Sequence, residues 1–132
     1  MIEITRKRID VGAVLDSVRR DDAGAVVLFL GTVRADPGVA SLDYEVYLPM
    51  ARKVLAELVD RARSKFGILE MSIVHRLGRV SVGGDSVAIA CAAAHRREAF
   101  EACAWAMDEV KRVVPIWKSE PPEGEARAPR RK

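Results

Sequence analysis

Apolar and polar residues alternate through residues 2–9, which predicts an edge strand. Asp10 is placed to cap a helix over 11–20, where Val11, Val14, Leu15 and Val18 fall on one face. The run Asp21-Asp22-Ala23-Gly24 breaks it. Residues 25–33, AVVLFLGTV, are β-prone and almost unbroken in apolar character, which predicts a strand covered on both faces. Pro37-Gly38 forces a turn within a loop over 34–41. Residues 42–47 alternate again, with Leu42, Tyr44 and Val46 opposite Asp43, Glu45 and Tyr47. Pro49 suits the first turn of a helix reaching about Phe66, and Gly67 suits its end. Met50, Val54, Leu55, Leu58, Val59 and Ala62 form its apolar stripe.

Strands follow at 69–76, 79–82 and 86–93, the last two joined by a turn at Gly83-Gly84-Asp85. A helix from Arg96 to Val113 carries Phe100, Cys103, Ala104, Met107 and Val110 or Lys111 on its inner side. Pro115 stops it, and Ile116-Trp117-Lys118 adds a further edge. The order β-α-β-β-α-β-β-β-α-β predicts an α+β fold with three helices and a mixed or antiparallel sheet. Residues 1–120 read as a single domain, and the Pro-, Glu- and Arg-rich stretch 121–132 as a mobile tail. No repeat, Walker loop or GxGxxG is present, and Gly78, Gly83 and Gly84 read as hairpin glycines rather than a phosphate cradle.

A chain of 132 residues with 49% hydrophobic and 31% charged content is one globular domain's worth, which excludes disorder over most of its length. Neither a membrane-spanning run nor a signal-peptide core is visible, so a cytoplasmic location is expected. The formal charge is +3, but Arg127, Arg130, Arg131 and Lys132 crowd the last six positions. Residues 1–126 hold 18 basic against 19 acidic side chains, a net of −1. The fold itself therefore lacks the basic surplus of a nucleic-acid binder. Cys91 and Cys103 are too few for a disulfide scaffold and have no metal-ligand spacing. Both read as small core residues.

Three places hold polar groups that the fold has no evident reason to keep. His95-Arg96-Arg97 opens the last helix, where positive side chains meet the positive end of the helix dipole and favour an anion; alternatively the arginines fan into solvent or pair with Glu98 and Glu101. Lys111 and Lys118 flank Pro115. Lys111 lies beside the apolar stripe, where desolvation lowers an ammonium pKa towards acid–base use, or where the stem packs and the head reaches water. Lys118 follows an anchoring Ile-Trp pair, or simply pairs with Glu120. Gly31-Thr32-Val33-Arg34 leaves a strand, and Arg34 can grip an anion or sit exposed in its loop. His75-Arg76, at a strand end, is a weaker candidate and reads better as a hydrogen-bonded structural histidine.

The strings GAVVLFLGTVR (24–34), LDYEVYLPMA (42–51), IVHRLGRVSVGGDSVAIA (73–90), AHRREAFEAC (94–103) and DEVKRVVPIWKSE (108–120) together resemble the catalytic (large) subunit of molybdopterin synthase. The likeness covers about residues 1–125. The ordered set F-x-G-x-V-R, H-R-x-x-A-F and D-x-x-K-x-x-x-P-I-W-K-x-E carries its specificity. The resemblance implies an α/β-hammerhead-like fold. It implies a sulfurtransferase that adds two dithiolene sulfurs to cyclic pyranopterin monophosphate, with no cofactor and no metal. The sulfur donor it implies is a ubiquitin-like small subunit whose C-terminal Gly-Gly carries a thiocarboxylate. The implied assembly is a heterotetramer built on a central dimer of large subunits. The substrate-contacting positions it implies are Thr32, Val33, Arg34, His95, Arg96, Lys111, Lys118, Ser119 and Glu120, with Lys111 and Lys118 catalytic. Relatives usually have a Gly and then a Trp after the last motif; here Gly124 is followed by Glu125, Ala126 and Arg127.

Two rival readings belong to other classes. A non-catalytic module could bind a ubiquitin-like sulfur carrier by strand addition without consuming a pterin. RNA binding through the basic tail is opposed by the near-neutral body and by only seven aromatic residues.

Overall fold

The computed structural model describes residues 1–114 and 116–120, Trp117 by its backbone alone. The expected helix stop at Pro115 and the expected tail at 121–132 lie outside the described residues. Ten elements follow in the predicted order: β1 (Ile2–Thr5), α1 (Val11–Val18), β2 (Ala25–Thr32), β3 (Ser41–Val46), α2 (Leu48–Phe66), β4 (Glu70–Arg76), β5 (Gly78–Ser81), β6 (Asp85–Ala93), α3 (Arg96–Val113) and β7 (Ile116–Ser119). The fold is α+β. Among the described residues the strands form two sheets, ordered β1-β4-β6-β2 and β5-β3-β7. Only β1 and β4 run parallel; every other pairing is antiparallel.

Strand β6 explains the layering. Its side chains alternate between faces, and both faces are covered. Ala88, Ala90 and Ala92 pack with Val14 and Val18 of α1. Ile89, Cys91 and Ala93 belong to the larger core with Leu55 and Leu58 of α2 and Ala99, Ala102, Cys103 and Ala106 of α3. The run of small residues on β6 and α3 lets helix and sheet approach closely. Asp10 caps α1 through Oδ1, which accepts from the Ala13 amide at 3.1 Å. Gly67 ends α2 at φ 68°, a left-handed conformation that other residues adopt only with strain, and its amide donates to the Arg63 carbonyl at 2.9 Å. No helix among the described residues is long and apolar enough to cross a membrane.

Several expectations change. Met50, placed on the apolar stripe of α2, is 50% exposed, and β1 ends at Thr5 rather than at residue 9. Strand β2 lies at the edge of its sheet, so Val26 and Phe29 keep 36% and 37% of their surface. An unbroken apolar run records that both faces are apolar, not that both edges are paired. On α3, Phe100 is 60% exposed rather than inward. The buried stripe is Ala99, Ala102, Cys103, Ala106 and Val110. Phe100, with Ala104 and Met107, lies on the neighbouring flank at i, i+4, i+7 spacing.

Candidate active site

The small sheet meets the large one beside the C-terminal end of α3, and a cavity of about 400 Å³ opens there. That size suits a small molecule. Six elements build it: β2, β3, β4, β6, α3 and β7. Tyr44 of β3 stands opposite Lys118 of β7, and Val46 opposite Ile116. Side chains directly opposite share a face, so Tyr44, Ile116 and Lys118 turn the same way and all line the cavity. The last two turns of α3 supply Met107, Val110 and Lys111. Lysine there also complements the negative end of the helix dipole. Both lysines are exposed at the cavity mouth, and neither forms an ion pair among the described residues.

The opposite wall is β2 against β6. A Cβ on Gly31 would lie 2.6 Å from Cγ1 of Val87, so glycine is what lets the two strands close at this point. The Ser86 hydroxyl donates to the Gly31 carbonyl at 3.1 Å, and the register shifts between Gly31 and Thr32. This bulge presents Thr32 to the cavity. Val33 then dips into the core. Its amide donates to the Gly84 carbonyl at 3.0 Å, and its carbonyl accepts from the Gly83 amide at 2.8 Å.

His75 forms the floor. Its ring is 5% exposed and meets Tyr44 edge-on, with centroids 5.5 Å apart at 64°. Nδ1 lies 2.8 Å from the Arg76 carbonyl oxygen. Burial pulls the imidazole below its ordinary pKa, and the hydrogen bond to that carbonyl only partly opposes the shift. The sequence pattern had favoured a purely structural histidine here. A His at the end of a strand that passes from one sheet towards the other was the available signal, and it was not separable from a core position.

The predicted residues therefore divide. Thr32, Lys111 and Lys118 come together on one cavity. Val33 supports its wall from within the core. Ser119 and Glu120 follow Lys118 on the exposed edge and do not line it. Arg34 is exposed, with Nε 3.0 Å from Oδ1 of Asp36. His95 is exposed, 3.6 Å from Glu98, and Arg96 lies beside it at the start of α3. Lys111 lies fifteen positions after Arg96 on α3, about 22 Å along the axis. The two cysteines are buried, and burial pushes the thiols up to about 12 for Cys91 and about 11 for Cys103, which leaves no thiolate nucleophile at neutral pH.

The model of the MoaE protein family matches residues 4–113. The chain is 47% identical over 120 residues to a molybdopterin synthase catalytic subunit of Thermoplasma volcanium, covering 89% of this chain and 88% of that one. It spans only 60–63% of the length of the plant and rat relatives that carry the same name. Among solved structures, molybdopterin synthase from Staphylococcus aureus superposes with a TM-score of 0.87 at 35% identity, over 95% of this chain and 93% of that one. A chain from a complex of subunits 1 and 2 of the molybdopterin-converting factor of Helicobacter pylori, 21% identical with a TM-score of 0.77, covers 97% and 93% and shares the fold.

Proposed function

The chain belongs to the MoaE protein family, and from that membership we propose that it is the sulfur-inserting catalytic subunit of a molybdopterin synthase. Its substrate is cyclic pyranopterin monophosphate, and its partner is a ubiquitin-like small subunit ending in a Gly-Gly thiocarboxylate. The reaction takes place in the cytoplasm and uses no cofactor. The observation that carries this reading is the arrival of Lys111 and Lys118, from separate elements, at one cavity, neither of them ion-paired to a carboxylate among the described residues. Two ammonium groups around a partly apolar cavity suit an anionic heterocycle.

In this mechanism the partner's tail enters the cavity mouth and its thiocarboxylate sulfur attacks a side-chain carbon of the pterin. A carbon–sulfur bond forms, and an oxygen leaves that carbon with a proton that Lys111 delivers. Water then attacks the acyl carbon. The acyl–sulfur bond breaks, leaving sulfur on the pterin and a carboxylate on the partner, while Lys118 stabilises the negative charge that develops on the acyl oxygen. A second thiocarboxylate repeats the sequence for the second sulfur. No nucleophilic cysteine is needed, in keeping with two thiols held protonated in the core. His95 and Arg96 lie at the opposite end of α3 from Lys111, too far to serve the same cavity, whereas Arg34 is exposed two residues after Thr32. His95 and Arg96 bind the substrate's phosphate in the cavity of a second copy, within a central dimer of the heterotetramer.

The test combines the purified chain with a thiocarboxylated small subunit and the cyclic pterin, and reads the dithiolene product by mass. Lys111→Ala is expected to lower turnover by roughly 10²–10⁴-fold, the range of a lost acid–base group. Normal turnover by that variant removes Lys111 from the mechanism. Partner binding with no pterin consumed by the parent chain favours the non-catalytic module instead.

A further inference from the structure

The chain has two histidines, and only His75 is buried. The mechanism above does not use it. Its geometry fixes its protonation. The Arg76 carbonyl can only accept, so the nitrogen 2.8 Å away, Nδ1, carries the ring proton. The ring is neutral, because burial disfavours the imidazolium and Lys111 and Lys118 face the same cavity as cations. The remaining nitrogen, Nε2, therefore holds a free lone pair, and it has no hydrogen-bonding partner among the described residues.

The ring cannot readily turn away to find one. His75 sits in β4 between Ile4 of β1 and Val87 of β6, and the edge of Tyr44 packs against it. Among the described residues the fully buried polar side-chain atoms without a partner are Ser41 Oγ and Arg76 Nε, so Nε2 of His75 is not sealed in the core but reaches the open cavity that the ring lines. The two lysines on the cavity can only donate, whereas the hydroxyls of Thr32, Tyr44 and Ser86 can also accept. An acceptor held rigidly on the floor of this cavity selects ligands that present an N–H or O–H at that depth.

We propose that His75 is a substrate-reading residue, whose Nε2 accepts a hydrogen bond from a ring or amino N–H of the pterin while the lysines hold its anionic and reacting groups. This rests on the pterin reading of the cavity given above. It assigns the heterocycle's donor edge to the floor and the reacting side chain to the mouth.

The experiment uses the chain in complex with its small subunit and cyclic pyranopterin monophosphate as probe. His75→Phe keeps a flat ring but loses the acceptor, and it is expected to raise KM for the pterin by roughly 10–100-fold with a smaller change in kcat. His75→Gln restores an acceptor near the position of Nε2 and is expected to recover most of that loss. The parent protein gives an independent readout that does not depend on a variant folding. With ¹⁵N-labelled histidine, the His75 Nε2 resonance is expected to start as that of an unprotonated nitrogen and to shift towards a hydrogen-bonded one as pterin is added. An unchanged KM in folded His75→Phe, or an Nε2 resonance unmoved at saturating pterin, overturns the proposal and returns His75 to a packing role. If the pterin moves that resonance but the parent complex yields no dithiolene product, the sulfur-transfer reading fails and the assignment of His75 stands.

Discussion

His75 and Glu109 are both poorly exposed, yet their surroundings push them to opposite preferences. His75 has no countercharge, and burial lowers its pKa from 6.5, so the fold favours the neutral ring. Glu109 is held below its ordinary range by hydrogen bonds from Arg112 and Arg61, so the fold favours its charged form. The sign for His75 follows from linkage. Above pH 6.5 neither state binds the proton and its contribution is complete. As pH falls through 6.5 the unfolded chain protonates first, so stability declines until the folded ring also titrates. Lys111 and Lys118 are the charged groups that line the same cavity. Glu109 adds its own loss only below about pH 4.5, the ordinary value of its carboxyl. Urea denaturation of the parent is therefore expected to show stability dropping between pH 7 and 5, and His75→Phe is expected to flatten that slope. Equal slopes for both proteins would place the titration elsewhere. At this scale the sequence was least informative. Nothing in the string IVHR distinguishes a histidine aimed at a cavity from one packed in a core, because the difference lies in which strand from the other sheet faces it.

Elements were far more legible, because local signals set them. Asp10 caps α1, Gly67 ends α2, and the order of ten elements follows the periodicities of the sequence. What periodicity does not carry is pairing. The apolar run of β2 gave no sign that it would be an edge, and the position of Phe100 depended on which of two adjacent helix flanks met the sheet. The Gly in F-x-G-x-V-R was visible as a motif, but its reason, the approach of Val87 from β6, is a property of the sheet. Packing between elements is where the stability resides. Leu58 of α2 is fully buried in the larger core, which α2 and α3 share with the sheet. Leu58→Ala is expected to cost about 2–5 kcal/mol, the range for a leucine whose cavity only partly collapses. Its site residues lie on other elements, so a folded sample at low temperature should keep its KM for the pterin. Urea titration and steady-state kinetics on the same preparation check both halves.

For the whole molecule, the motifs that the sequence presents as one constellation fall into two places on one chain. Lys111 and Lys118 share a cavity, whereas His95 and Arg96 lie on exposed surface, the latter about 22 Å from Lys111 along a rigid helix. The helix predicted from Arg96 to Val113 already carries this separation, since fifteen positions of helical rise hold Arg96 and Lys111 about 22 Å apart. If both groups act on one substrate, they must come from two copies, and a two-fold pair then holds two composite sites. This arrangement makes a prediction that a single-chain site cannot meet. Lys111→Ala and Arg96→Ala chains are each expected to be nearly inactive alone. Once subunits exchange at random, half the dimers are mixed, and in each mixed dimer one site takes Lys111 from one chain and Arg96 from the other. The mixture should recover about a quarter of parental activity per chain. A single-chain site would leave every mixed dimer with one defect per site and no recovery. Turnover measured before and after exchange, with the small subunit in excess, separates the two outcomes, and a mixture as inactive as its parents would require another role for the cations at the start of α3.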